Sequence, residues 1–369
     1  MRTRWLVLVI ALLLTGFTAC GFFVDEDDNG DNGNGGNGGG TGIPPRFAYV
    51  TNLDSSVLSG FTVDASSGAL TEIGGSPFTG LLQPIAVASD SGGNVLFVID
   101  QLMGVISLPI DRSTGLLQTA SSTLTAGAEP IALTVAPSNN FLYVLSLNPG
   151  TIHGFRIGTS GALTRLSGFP IAAGSNPQSL TVDPGGRFLY VASDTAGTWV
   201  FTINTNGGLT KVREVPGSTG AVSRDVVVEK NSRFAYVANG VSGVDAYSIN
   251  SSNGDLNMIA NSPFQAGTTP RRLAVDPTGR FLFVLNQGSD NVSAFQINAD
   301  GSLTASTGSP FAAGNDPRAV SADPSGNFLY VTNLTDSTIT SYRIGSGGVL
   351  TRLNTLPTPA RPTSIVTMR

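Results

Sequence analysis

Residues 270–304 read PRRLAVDPTGRFLFVLNQGSDNVSAFQINADGSLT, and this stretch decides the fold. Leu273 to Val275 is a short apolar strand, expected to be buried on both faces. Asp276-Pro277-Thr278-Gly279 is a turn, in which Pro presets the second position and Gly relieves the last. Phe281 to Leu285 is a second strand, rich in aromatics. Val292 to Ile297 alternates apolar and polar residues, so it belongs nearer a rim. Ala299-Asp300-Gly301 turns into a fourth strand from Leu303. Four antiparallel strands of this kind make one propeller blade.

The unit recurs along the chain. An aromatic-valine pair stands at Tyr49-Val50, Phe97-Val98, Tyr143-Val144, Tyr190-Val191, Tyr236-Val237, Phe283-Val284 and Tyr330-Val331. Successive gaps are 48, 46, 47, 46, 47 and 47 residues, the period of a blade. A Pro precedes the aromatic by 13 residues at Pro84, Pro130, Pro177, Pro270 and Pro317, and Ser223 takes that slot in the fifth repeat. Loops with Ser-Pro-Phe end at Phe78, Phe264 and Phe311, and each Phe is expected to plug a seam between blades. No inner strand precedes Tyr49, whereas Arg361-Pro362-Thr363-Ser364-Ile365-Val366 reads as an inner strand with none to follow. The expectation is an all-β, seven-bladed β-propeller whose C-terminal strand completes the first blade. Closure of that kind leaves no sheet edge open between blades.

The surroundings of the repeat are equally legible. The chain has 369 residues, 40% hydrophobic and 12% charged, with a formal net charge of −5. Lys211 and Lys230 are its only lysines. An acidic chain with so few clustered cations is unsuited to nucleic acid. Arg2 and Arg4 precede an apolar run from Trp5 to Leu14, the pattern of an export signal over residues 1–19. Phe17-Thr18-Ala19-Cys20 resembles a bacterial lipobox, and Cys20 is the only Cys. Cys20 is therefore expected to be lipidated, anchoring the chain to a membrane of the cell envelope. Gly21 after it favours the outer membrane; without lipidation the product is secreted. Residues 20–43 then form a Gly/Asn/Asp-rich tether, and 44–369 the propeller. Asp25, Asp27, Asn29 and Gly30 match the start of a calcium loop, but Gly36 stands where the bidentate Glu is needed, so the segment reads as a spacer.

Tyr49-Val50-Thr51-Asn52, Tyr330-Val331-Thr332-Asn333 and the strings DPGGRFLYV (183–191) and DPSGNFLYV (323–331) resemble the lactonase-type seven-bladed propellers and the YVTN repeat proteins of cell surfaces. The likeness runs from residue 46 to 369. These are turn and core residues, so they specify a fold on which many activities are carried. What the resemblance implies of function is a 6-phosphogluconolactonase-like lactone hydrolase. Members credited with that chemistry carry a His at the head of an inner strand, near Arg and an acid. No matching position here holds His.

Strand direction places inner-strand heads and second-strand tails around one axial mouth. The tails are Asn52, Asp100, Ser146, Ser193, Asn239, Asn286 and Asn333. The residue after the Pro slot is Ile85, Ile131, Gln178, Arg224, Arg271, Arg318 and Thr363. Arg224, Arg271 and Arg318 thus occupy one register in three adjacent repeats. Converging guanidiniums suit a carboxylate, a phosphate or a lactone carbonyl. Alternatively they pair with Glu129 and Asp316, the acids just before the slot. Asn239, Asn286 and Asn333 join the candidate ligand-binding set. The reading is a small anionic ligand or a protein partner bound at the mouth without turnover and without a cofactor. The alternatives are a lactonase or cyclising enzyme, with Glu129 or Asp316 as base, and a structural surface-layer element. His153 sits at a variable outer-strand position, expected at the surface. Asp183, Glu229, Asp276 and Asp323 open turns at the opposite end and read as turn-makers rather than metal ligands.

Overall fold

A computed structural model describes residues 47–194, 197–218, 220, 222–241 and 243–368. The export signal, Cys20 and the tether lie outside these residues. Seven antiparallel sheets follow one another, each with an inner strand, two middle strands and an outer strand. Among the described residues helix is confined to three single 3₁₀ turns.

The first blade draws on both ends of the described chain. Phe47–Asn52 pairs on one side with Val57–Val63 and on the other with Pro362–Met368. Tyr49 lies opposite Val366 and Val50 opposite Ile365, so the last strand closes the ring as expected. Each remaining blade takes its inner strand from the residues just before its second strand, as in Pro270–Val275 beside Phe281–Asn286.

Burial differs from the expectation for the inner strand. Pro270–Val275 is only half-buried at four of its six positions, because one flank lines the axial channel. The fully buried element is the second strand: all six residues of Phe281–Asn286 are buried, as they are in every blade. The apolar core is accordingly divided into seven clusters, each straddling two neighbouring blades. Burial of this kind contributes about 1.5–3 kcal/mol per large aliphatic side chain.

The repeated tyrosine also latches the seams. The hydroxyl of Tyr190 donates to the Gly254 carbonyl of the next blade at 2.9 Å, and Tyr49, Tyr143 and Tyr236 do the same to Gly115, Gly207 and Gly301. Tyr330 donates to Gly68, which joins the seventh blade to the first. Phe97 lacks a hydroxyl. Ser107, its cross-strand partner, supplies one instead and donates to Gly161 at 2.7 Å. Phe283 faces Ala294, so that seam has no such substitute.

Two of the Ser-Pro-Phe segments are short fifth strands rather than loops. Phe264–Gln265 and Phe311–Ala312 pair with the third strand of their blades, and Phe78 makes a single bridge to Leu58. Each Phe packs on a cluster shared by two blades but stays half-buried, so its contribution is smaller than that of a fully buried ring. In the second blade the outer strand is Ser122–Leu124, paired with Gly104–Pro109, and Ile110 adds a single bridge to Leu117.

Candidate functional site

The inner-strand head contains a structural device that positions the site. In the sixth blade Pro270 faces Asn286 and Arg272 faces Leu285, so Arg271 has no opposite residue. It is a β-bulge. The same slip leaves Arg224 and Arg318 unpaired in the fifth and seventh blades. It recurs at Ile85, Ile131 and Gln178, and at Thr363 in the closing blade. The residue before the slot takes a left-handed backbone at Asn176, Thr269, Asp316 and Arg361, with φ of 52°, 53°, 52° and 58°. Its carbonyl accepts the N–H just beyond the second strand, as Thr269 does from Gln287 at 3.0 Å. A bulge releases its extra residue from the ladder and re-aims its side chain. All seven post-slot residues are thereby turned out of register at one end of the propeller.

Arg271 is the most constrained of them. Its Nη1 donates to Gln287 Oε1 at 3.3 Å, and its Nε is buried with no hydrogen-bond partner. Burial, followed by the charges of Arg318, Arg272 and Arg224, pushes this guanidinium down to about 9; Asp316 opposes the shift. Arg318 is lowered by the same burial, then by Arg272 and Arg361, with Asp316 again opposing. Among the described residues neither arginine forms an ion pair within 4.0 Å. Arg224 is better served: its Nη1 lies 3.3 Å from Gln178 Oε1 and 3.7 Å from Asp194 Oδ2. Arg271 and Arg318 are therefore partly desolvated and crowded by like charge.

The acids expected to pair with these arginines are engaged elsewhere. Glu129 Oε2 accepts from Asn148 Nδ2 at 2.7 Å. Asp316 Oδ1 accepts from Gln287 Nε2, so Arg271, Gln287 and Asp316 form one chain of contacts.

The strand-end asparagines are buried inside their sheets. Asn333 Nδ2 donates to Thr338 and Thr340, and its Oδ1 accepts from Gly314 N–H. Asn286 Nδ2 donates to Asn291 and Ser293. Asn239 donates to Ser218 and accepts from Val241 N–H. Asp100 uses both oxygens on four N–H groups. These side chains bind their own blades' edges together at the mouth.

His153 corrects a sequence reading. Its position is the one that meets the strand tail, held by buried Ser59, Asp245, Ser293 and Thr340 in other blades. His153 is half-buried, 3.3 Å from Thr151 Oγ1, and burial lowers its basicity. At the opposite end, Asp276 accepts from the N–H groups of Thr278, Arg280 and Phe281, and Asp183 and Asp323 repeat the pattern. Among the described residues no three His, Cys, Asp or Glu side chains gather as a metal site.

One group escaped the sequence reading. Below the bulges, an axial cavity of about 170 Å³ is lined in part by Ser179, Asp225 and Arg272. Ser179 Oγ donates to Asp225 Oδ1, Asp225 Oδ2 accepts from Leu273 N–H at 2.9 Å, and Arg272 Nη1 lies 4.0 Å from Asp225. The equivalent slot holds Ala86, Ala132 and Ala319 in three blades and Ser179, Asp225, Arg272 and Ser364 in the other four, and only Asp225 and Arg272 are charged.

Comparison with known proteins follows this geometry. A search of curated proteins found no match. Among solved structures, a protein from Lactobacillus plantarum is 20% identical with a TM-score of 0.74, covering 89% of this chain and 100% of its own. A candidate 6-phosphogluconolactonase from Bacteroides uniformis is 18% identical with a TM-score of 0.78, covering 88% and 100%. The periplasmic gluconolactonase of Pseudomonas aeruginosa is 19% identical with a TM-score of 0.72, covering 88% and 99%. At such identities the likeness establishes the fold. The family described as lactonase, 7-bladed beta-propeller, matches residues 47–367. On that match, this chain belongs to the lactonase family of seven-bladed β-propellers.

Proposed function

We propose that the protein binds a small anion, through a carboxylate or phosphate, at the axial mouth. The observation that carries this is Arg271: a half-buried guanidinium, flanked by three others, with an unpartnered Nε. Holding that charge away from water is costly unless an anion offsets it. A bidentate group matches the planar fork that arginine presents. We also propose that this happens at the cell envelope, with Cys20 lipidated; incorporation of labelled palmitate that survives Cys20→Ala would end that part of the reading.

Lactone hydrolysis is the second reading. It is favoured by the family and by the gluconolactonase of similar fold. A lactone carbonyl among the guanidiniums would be polarised, and Asp316 is the acid linked to Arg271 through Gln287. A base role for Asp316 is the weak point, since Gln287 already occupies one of its oxygens.

The test measures binding and turnover on one preparation. Anions such as gluconate, 6-phosphogluconate and short carboxylates are titrated by calorimetry, and δ-gluconolactone hydrolysis is followed by pH-stat. Saturable anion binding that falls at least tenfold in Arg271→Gln, without turnover, supports the binder. Hydrolysis lost in Arg271→Gln and Asp316→Asn supports the enzyme. Binding that Arg271→Gln leaves intact removes the mouth from either role.

A further inference from the structure

The seven bulged residues are ordered around the mouth by chemistry. Blades follow chain order, because each cluster of core residues joins one blade to the next. The second and third blades present Ile85 and Ile131. The fifth, sixth and seventh present Arg224, Arg271 and Arg318. A neutral polar residue stands at each boundary: Gln178 in the fourth blade and Thr363 in the first. The ring of bulged residues is thus split into an apolar sector and a cationic sector.

The layer below follows the division in part: Ala86 and Ala132 line the axial cavity with Ile85 and Ile131 in the second and third blades, Asp225 and Arg272 line it in the fifth and sixth, and Ala319 replaces a charge in the seventh. Leu82 and Leu102 flank the end of the second blade's second strand, where their N–H groups donate to Asp100, and they are 52% and 66% exposed. Val241, the fifth blade's counterpart of Leu102, is 61% exposed as well, so the contrast between the sectors rests on the bulged residues themselves.

We infer that the ligand of this mouth is an amphipathic anion, with a carboxylate or phosphate head on the arginine sector and a short alkyl chain or phenyl ring on Ile85 and Ile131. This rests on the anion-binding reading above and narrows its ligand class. A sugar acid hydroxylated along its whole length fits poorly, because hydroxyls against the isoleucines would lose water and gain no partner. The cavity of about 170 Å³ is small for a ligand site, which keeps the tail short.

The experiment is a calorimetric titration of the full chain with hexanoate and with gluconate, which have the same charge and carbon number. Hexanoate is expected to bind at least tenfold more tightly. Ile131→Asn, and separately Ile85→Asn, should narrow that preference at least fivefold, with thermal melts verifying folding. Gluconate binding as tightly as hexanoate overturns the amphipathic assignment and leaves the anion site standing. Failure of both anions to bind overturns the anion site and this inference with it.

Discussion

The two ends of the inner strands handle charge in opposite ways. At the turn end, Asp276 and its equivalents are buried, and their oxygens accept backbone N–H groups within the same turn. At the mouth, Arg271 and Arg318 are partly buried, without ion pairs among the described residues, and crowded by like charge. The turn end follows the repeat closely; the bulged slot is where the repeats diverge, from Ile85 to Gln178 to Arg271. At the turn end, obedience to the repeat accompanies satisfied carboxylates; at the bulged slot, departure from it leaves the Nε of Arg271 without a partner.

Removing the strand common to both ends should have the largest effect. Deletion of residues 361–369 takes Ile365 and Met368 from two seam clusters and exposes the edge of Phe47–Asn52. The expected outcome is loss of soluble, cooperatively melting protein; a truncated chain that melts like the parent would break the scheme. Next is a contrast between the ends. Asp276→Ala orphans the buried N–H of Phe281 and the part-buried N–H groups of Thr278 and Arg280, and should lower unfolding free energy by about 1–3 kcal/mol in urea titrations, with anion affinity within twofold of the parent. Arg271→Gln should do the reverse, holding or raising stability while anion affinity drops. Identical profiles for the two variants would erase the distinction between the ends.

A smaller effect is expected at the seams. Tyr330→Phe removes the bond to Gly68 and should cost about 1 kcal/mol, with Ser107→Ala matching it through the bond to Gly161. The smallest is a pH effect. Arg271 is held near 9, below its ordinary value of 12.5, by burial and by Arg318, Arg272 and Arg224, against Asp316. Its proton is bound at neutral pH, so anion affinity should weaken as pH rises through about 9. Folding stability should move the other way above that point, because the unfolded chain then binds the extra proton. Chemical denaturation and titration at pH 7 and pH 10 would expose a common direction if the assignment is mistaken.

Architecture was readable because it depends on local periodicity. The Tyr-Val interval, the Pro slot and the Asp-Pro-x-Gly turn are each written within one repeat, and the closing strand follows from counting them. The shared register of Arg224, Arg271 and Arg318 was readable for the same reason. The bulge was not, since it exists only as a slip between paired strands, and no single strand records it. Nor was the replacement of the Phe97 hydroxyl by Ser107, which needs the cross-strand partner to be known. The strand-end asparagines were legible as a row, but their inward turn is set by the neighbouring strand, where Ser293 and Thr340 receive their amides. Asp225 and Arg272 were masked by the bulge itself, which shifts the two-residue alternation by one.

The pairing of Val50 with Ile365 has a consequence for biosynthesis. The partner of the first middle strand leaves the ribosome more than three hundred residues after it, a wait of roughly 15 to 60 s at common elongation rates. Throughout that interval the nascent first blade shows a bare flank, and a message cut short anywhere upstream yields a product that cannot be completed. Chaperone cover until termination, followed by a late and nearly simultaneous consolidation, is the life history such a connectivity imposes.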